Sequence, residues 1–327
     1  MIDGNLLSLA ELRTYFFHSA GAVRVVDGVT FSLKLGKTLG LVGESGAGKS
    51  MTGRSILRLL PPSARTVGGR IIFQGTDLLT LSERALRELR GREIATIPQD
   101  PLSSLNPAFR IGGQMTDVMQ RHLGLNKSEA RERAVGLLAR VGIPAPETAM
   151  NKYPHQLSGG MRQRVMISIA FSCEPALVIA DEPTSALDMT MQAQIIAVLN
   201  EMKVKSHTSM IFITHDLALV SKICDDVVVM YAGRVVERAP VTDLFTAPAH
   251  PYTRALMRAV PRFDIPSGML YSIEGSAPQL STLPPGCPFE PRCPERIHGL
   301  CREARAVPWV EIAPDRGVAC WQHVKEA

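Results

Sequence analysis

Nowhere in the 327-residue chain does an apolar run approach the roughly 18–20 residues that a membrane-spanning helix needs, so a protein built of such helices is excluded. A basic tract is also missing. The balance of 36 Lys and Arg against 31 Asp and Glu leaves a formal charge of +5, too mild and too dispersed to demand nucleic acid as a partner. The start, Met1-Ile2-Asp3-Gly4-Asn5, lacks a basic stretch followed by an apolar core, so no secretory leader and a cytosolic location are expected. No heptad pattern is sustained between residues 50 and 157, which rules out a long coiled-coil arm there. Cysteine is scarce: the six present, in a reducing compartment, are free thiols or metal ligands rather than disulfides.

What is present centres on Gly43-Glu44-Ser45-Gly46-Ala47-Gly48-Lys49-Ser50, which fills every fixed position of the phosphate-binding pattern G-x-x-x-x-G-K-[ST]. Glycines let the backbone bend so that successive N–H groups face phosphate oxygens. Lys49 then reaches the β- and γ-phosphates, and Ser50 offers its hydroxyl to Mg²⁺. The flanks agree with a P-loop. Thr38-Leu39-Gly40-Leu41-Val42 reads as a buried strand, and Met51, Ile56, Leu57 and Leu60 recur at helical spacing until Pro61-Pro62. The start of that helix adds partial positive charge to the anion site.

Residues 5–36 carry short apolar runs broken by Gly21, Gly28 and Gly36, the pattern of an antiparallel β-layer. Within it Tyr15-Phe16-Phe17 supplies either a ring for stacking on adenine or strand core. Gly68–Gly75 reads as a further strand, Ser82–Arg90 as a charged helix, and Ile94–Ile97 as a short strand leading to Gln99. Helical periodicity then dominates residues 107–149, with Met115, Val118 and Met119 on one run and Ala134, Leu137, Leu138 and Val141 on another.

Leu157-Ser158-Gly159-Gly160 opens the next helix. Its orphan N–H groups form a second ready-made anion site. Ala176–Ala180 is the continuous apolar run of a central parallel strand, and it ends in Asp181-Glu182. Beside a P-loop, that pair can hold Mg²⁺ through Asp181 and polarise the attacking water through Glu182. Ser185-Ala186-Leu187-Asp188 precedes a helix bearing Met191, Ile195, Val198, Leu199 and Met202, and the strand Ser209–Thr214 ends in His215, placed to contact a γ-phosphate.

In order and spacing these residues resemble the nucleotide-binding subunit of ABC transporters over about residues 5–240. The resemblance implies an α/β fold of the P-loop NTPase class, with a RecA-like core, an antiparallel β layer and an α-helical subdomain at about 102–172. It implies Walker A at 43–50, the Q-loop at Gln99, the signature at 157–160, Walker B at 177–181, catalytic Glu182, the D-loop at 185–188 and the switch histidine His215. Contacts to nucleotide would come from Phe16, with Tyr15 as the alternative, from Gly43, Glu44, Ser45, Gly46, Ala47, Gly48, Lys49, Ser50 and Met51, and from Ser158, Gly159, Gly160 and Asp188. Mg²⁺ would be held by Ser50, Gln99 and Asp181. In that family the signature serves a neighbour's ATP, so two cassettes close head to tail over two ATPs.

Residues 247–256 and 283–294 resemble the C-terminal extension of the oligopeptide and dipeptide permease ATPases, dividing the chain into a cassette (1–240) and an extension (241–327). The implied role is to energise uptake of di- or oligopeptides, or a related cargo such as nickel. The implied partners are a second, homologous ATPase subunit, two transmembrane permease subunits and, indirectly, a substrate-binding protein, with no nucleic acid, at the cytoplasmic face of the inner membrane. A soluble ABC ATPase acting on nucleic acid or the ribosome is the rival, disfavoured by the missing coiled coil and the single P-loop.

Four cysteines, Cys287, Cys293, Cys301 and Cys320, lie in the last 41 residues, separated by 5, 7 and 18 residues. Cys173 and Cys224 instead sit in apolar helical contexts as core thiols. Neither a C-x-x-C pair nor a histidine at finger spacing accompanies the four, so zinc templates fit less well than an iron–sulfur cluster; unliganded thiols are the third reading. The permease-ATPase resemblance implies a [4Fe–4S] cluster. Its ligands lie beyond the last nucleotide motif, and ATP binding is expected to survive its loss.

Overall fold

The structure, a computed structural model, describes residues 4–19, 21–185, 187–259, 272–303 and 306–324. It is of the α/β class and divides into two compact units: residues 1–34, 38–79 and 213–327 form one, residues 35–37 and 80–212 the other.

The first unit carries the expected antiparallel layer, four strands in the order Gly21–Lys34, Asn5–His18, Ala64–Phe73, Thr76–Asp77. Leu7, Leu12, Val26, Val29 and Ile71 alternate onto its buried face with no exposure, the period-2 pattern of a half-buried sheet. The P-loop strand Thr38–Val42 pairs in parallel with Asp226–Tyr231, Val42 opposite Val229, and both read as continuous apolar runs because both faces are covered. Arg234–Pro240, Arg316–Ala319 and Trp309–Ala313 extend that sheet with antiparallel neighbours. The last two come from the C-terminal extension, so the extension is woven into the sheet that carries the P-loop. Tyr231, Tyr252 and Phe289 close the core beside it, with ring centroids 4.6–5.3 Å apart in tilted and edge-on geometries.

The second unit holds the helical insertion. Helix Ile111–Leu123 buries Met115 and Met119, leaving Val118 half-buried, and helix Lys127–Arg140 buries Ala134, Leu137 and Leu138. A capping box starts the latter: Asn126 accepts from the N–H groups of Ser128 and Glu129 while Glu129 accepts from the Asn126 N–H. It ends where Gly142 takes φ +75°, as the Gly142 and Pro144 pair anticipates. Strand Leu177–Asp181 pairs in parallel with Ile94–Ile97, Val178 opposite Ala95, and its first four residues are buried. No helix among the described residues is long and apolar enough to cross a membrane.

Candidate functional site

Strand Thr38–Val42 and helix Lys49–Leu57 hold the P-loop between them. Two glycines are demanded by geometry. Gly43 (φ +149°) would place a Cβ 2.2 Å from the Met230 carbonyl oxygen, and Gly48 (φ +99°) would place one 2.4 Å from the Val25 carbonyl oxygen. Lys49 is buried, and its Nζ donates to the carbonyls of Gly43 (2.8 Å) and Glu44 (3.0 Å), so the ammonium already sits inside the loop it serves. Ala47 is buried, Ser45 and Gly46 are exposed, and Ser50 and Met51 are half-buried on the first turn of the helix. The N–H groups at the start of that helix face an anion site by construction.

Phe16 and Tyr15 differ in engagement. The Tyr15 hydroxyl donates to Asp27 (2.9 Å) and Arg24 lies over its ring, whereas Phe16 is half-buried and stacks on His18 with centroids 6.0 Å apart. Phe16 is therefore the ring with a face still to offer. His215, on the same unit, follows the strand Ser209–Thr214 and is exposed.

In the second unit the structure brings Gln99 and Glu182 together: the Gln99 amide donates to the Glu182 carboxylate at 3.1 Å. That leaves the Gln99 carbonyl oxygen for a cation. Asp181 ends the buried strand, and Glu182 turns off it at φ +45°, a left-handed conformation costing a non-glycine residue on the order of 1–3 kcal/mol. Ser185 braces the turn, donating from its N–H and its hydroxyl to the Glu182 carbonyl, both at 3.2 Å. Strain held in place at the residue expected to polarise water fits a preorganised site.

Ser158 caps helix Gly159–Phe171 by accepting from the Met161 N–H at 3.4 Å. Ser158 and Gly159 are exposed on buried Leu157, while Gly160 is buried so closely that a Cβ would meet the Met191 methyl at 2.1 Å. Asp188 caps helix Met189–Ser206 through a 2.9 Å bond from the Met191 N–H. Its carboxylate thus has a structural duty that spacing alone did not reveal. Ala186 of the same loop lies outside the described residues.

Cys173 and Cys224 are buried core thiols, as expected. The other four share one neighbourhood. The Cys287 N–H donates to the Cys301 carbonyl at 2.9 Å, and burial, with added repulsion from Cys301, Cys320 and Cys293, pushes the Cys287 thiol up to about 12. Burial likewise raises Cys293 and Cys320, each also opposed by Cys301. Among the described residues, however, no group of three or more His, Cys, Asp or Glu side chains is arranged to hold a metal ion. The donors fit a thiolate-ligated group in kind and in number, but their ligand shell is not closed.

Residues 26–185 match the family described as "ABC transporter", and residues 236–301 match "Oligopeptide/dipeptide transporter, C-terminal region". A probable peptide ABC transporter ATP-binding protein of Sinorhizobium fredii is 50% identical over 319 residues, covering 97% of this chain and 95% of that protein. The oligopeptide transport ATP-binding protein OppD of Salmonella typhimurium is 47% identical over 321 residues, 98% of this chain and 95% of that one. The chain belongs to the ATP-binding proteins of oligopeptide and dipeptide ABC transporters. Among solved structures, cbiO1 of Clostridium perfringens, part of the ABC transporter complex cbiONQ, superposes with a TM-score of 0.63 at 29% identity, covering 75% of this chain and 92% of that one.

As an ABC-family ATPase the chain binds ATP with Mg²⁺ and hydrolyses it, and its fold is that of the ABC cassette. Within that family setting, two residues that motif reading missed stand against the P-loop. The Glu44 N–H donates to the Tyr252 hydroxyl oxygen at 2.8 Å, and the Arg292 guanidinium grips the Glu44 carboxylate through two bonds of 2.7 and 3.0 Å. The extension is beyond the nucleotide motifs in sequence but not in space. The only available signal was that Tyr252 and Arg292 belong to the stretches resembling the permease ATPases.

Proposed function

We propose that this chain energises import of di- or oligopeptides, working at the cytoplasmic face of the membrane with two permease subunits, a substrate-binding protein and a second, homologous ATPase subunit. The carrying observation is the union of a complete P-loop with an extension of the oligopeptide/dipeptide type, in a chain alike over 97–98% of its length to named peptide-transport ATPases. Cassette residues 1–240, with the helical part at 102–172, bind and spend ATP; residues 241–327 form the extension.

In this reading Gly43–Ser50 and Met51 cradle the triphosphate, and Phe16 stacks on adenine. Ser50, Gln99 and Asp181 hold Mg²⁺, Glu182 orients the water, and His215 meets the γ-phosphate. The attack is in line, with no covalent intermediate, and catalysis is positioning plus charge stabilisation. The Ser158-Gly159-Gly160 turn, exposed at Ser158 and Gly159, serves with Asp188 the neighbouring subunit's ATP, so a lone chain carries half-sites. Reconstituted complex should hydrolyse ATP much faster than the strictly monomeric chain and faster still when the binding protein delivers an oligopeptide. Equal rates for monomer and complex overturn the shared site, and stimulation by nickel but not by peptide overturns the cargo.

The four tail cysteines, gathered as they are, support a [4Fe–4S] cluster in the extension, a structural or regulatory group. Anaerobically purified chain should carry iron and sulfide near four each. Colourless protein holding one zinc rejects that assignment.

A further inference from the structure

Glu44 is chemically out of place. It puts a carboxylate one residue into a loop whose purpose is to bind a polyanion, and the extension meets it on two sides. Its N–H donates to Tyr252 at 2.8 Å, its carboxylate is held by Arg292 at 2.7 and 3.0 Å, and its carbonyl accepts from Lys49 at 3.0 Å. Every bond-forming group of the residue is thus fixed, two of them by the tail.

The tail residues are themselves fixed. The Arg292 side chain is only 7% exposed against 27% for Glu44, and its remaining donors reach the carbonyls of Glu274 (2.9 Å) and Ile273 (3.3 Å) and the Tyr231 hydroxyl (3.3 Å). Tyr252 is fully buried. Its N–H donates to His250 Nδ1 at 3.0 Å, and the N–H groups of Ala249 and His250 donate to the carboxylate of fully buried Glu237 at 2.7 and 2.8 Å. An unbroken line of hydrogen bonds therefore runs from the strand Arg234–Pro240 to the second residue of the P-loop.

We infer that Arg292 and Tyr252 are positioning residues of the nucleotide site: Arg292 holds the Glu44 carboxylate neutralised and turned aside while Tyr252 pins the Glu44 N–H, so that the rest of the loop presents its N–H groups and the Lys49 ammonium to the triphosphate. This rests on Gly43–Ser50 being the ATP site. A planar fork matches a carboxylate in a way a lysine ammonium does not, so charge alone does not replace Arg292. The extension is then a working part of the cassette.

ATP affinity of the full-length chain, measured by calorimetry in a Glu182→Gln background that blocks turnover, tests this. Arg292→Ala should weaken ATP binding about tenfold, and Arg292→Lys by several-fold. Adding Glu44→Gln to Arg292→Ala should recover most of the loss, because the stranded carboxylate is gone. Tyr252→Phe, which keeps the buried ring, should raise KM for ATP about threefold in the assembled complex with kcat unchanged. If Arg292 merely staples the tail, Glu44→Gln does not rescue a folded Arg292→Ala chain, and the inference fails. It also fails if Arg292→Ala binds ATP like the parent. Should the parent chain itself not bind ATP, the reading of the P-loop falls first.

Discussion

Two glycine-to-alanine changes, chemically identical, should act in opposite directions. Gly48 sits at φ +99°, where an L-residue pays about 1–2 kcal/mol for the left-handed backbone. Its new Cβ would also lie 2.4 Å from the Val25 carbonyl oxygen and 3.3 Å from Gly233 Cα, both backbone atoms that no rotamer change can move aside. Relief requires the loop or the strand Gly21–Lys34 to shift, an overpacking cost of about 1–3 kcal/mol. Gly48→Ala should therefore lose about 2–5 kcal/mol of stability. Because the loop moves with it, ATP affinity should fall at least tenfold. Gly136, inside helix Lys127–Arg140, has no left-handed φ, and a Cβ there would meet nothing within 4 Å. There the methyl only removes the entropy cost of glycine, and Gly136→Ala should gain about 0.5–1 kcal/mol with ATP binding unchanged. Guanidinium unfolding midpoints at constant m, with ATP titrations on the same samples, read both effects. Midpoints that shift in the same direction, or a Gly48→Ala chain that binds ATP normally, refute the claim that backbone conformation dictates these positions.

Glu182→Gln should keep ATP binding while lowering phosphate release by about 10²–10⁴-fold, the range of a lost general base; turnover near the parent rate would reassign the water-polarising role. Lys49→Ala removes the buried ammonium that bridges the Gly43 and Glu44 carbonyls, and should weaken ATP binding itself by more than tenfold in the same calorimetric assay. Burial, with Arg254 and His323 nearby, drives the His250 imidazole from 6.5 down to about 3. The unfolded chain therefore binds that proton first, and stability should fall as pH drops from 6.5 toward about 3, by up to about 1.4 kcal/mol per pH unit. His250→Asn, whose side-chain oxygen can still accept from the Tyr252 N–H, should flatten the acid limb; an unchanged slope would place the acid-sensitive group elsewhere.

Features carried by contiguous residues were legible in the sequence. The P-loop needs only its own eight residues and the strand and helix beside it, and the helical insertion announces itself through the 3.6-residue recurrence that buries Met115, Ala134 and Leu138. Val118, on the predicted apolar run, ends half-buried because a helix face is wider than its buried stripe. The left-handed turn at Glu182 has no sequence signature, since glutamate does not favour that conformation and only its surroundings impose it. The tail offers four thiols by spacing, and folding gathers them without closing a ligand shell among the described residues.

The Glu44 contacts were hidden for a different reason: Tyr252 and Arg292 are 208 and 248 residues away along the chain. A P-loop pattern marks the second position as free, because the loop binds phosphate through its backbone. That freedom holds only while the side chain is uncharged or pointed into solvent. Here it is a carboxylate, 27% exposed, and its charge is met by a guanidinium held at 7% exposure by the Glu274 and Ile273 carbonyls of the extension and by the hydroxyl and ring of Tyr231. A buried cation with such support is costly unless an anion faces it, and an anion in a phosphate loop is costly unless a cation faces it. Positions 44 and 292 therefore constrain one another. Neither is interpretable from its own neighbourhood, and the extension cannot be exchanged for another without also answering the charge at Glu44.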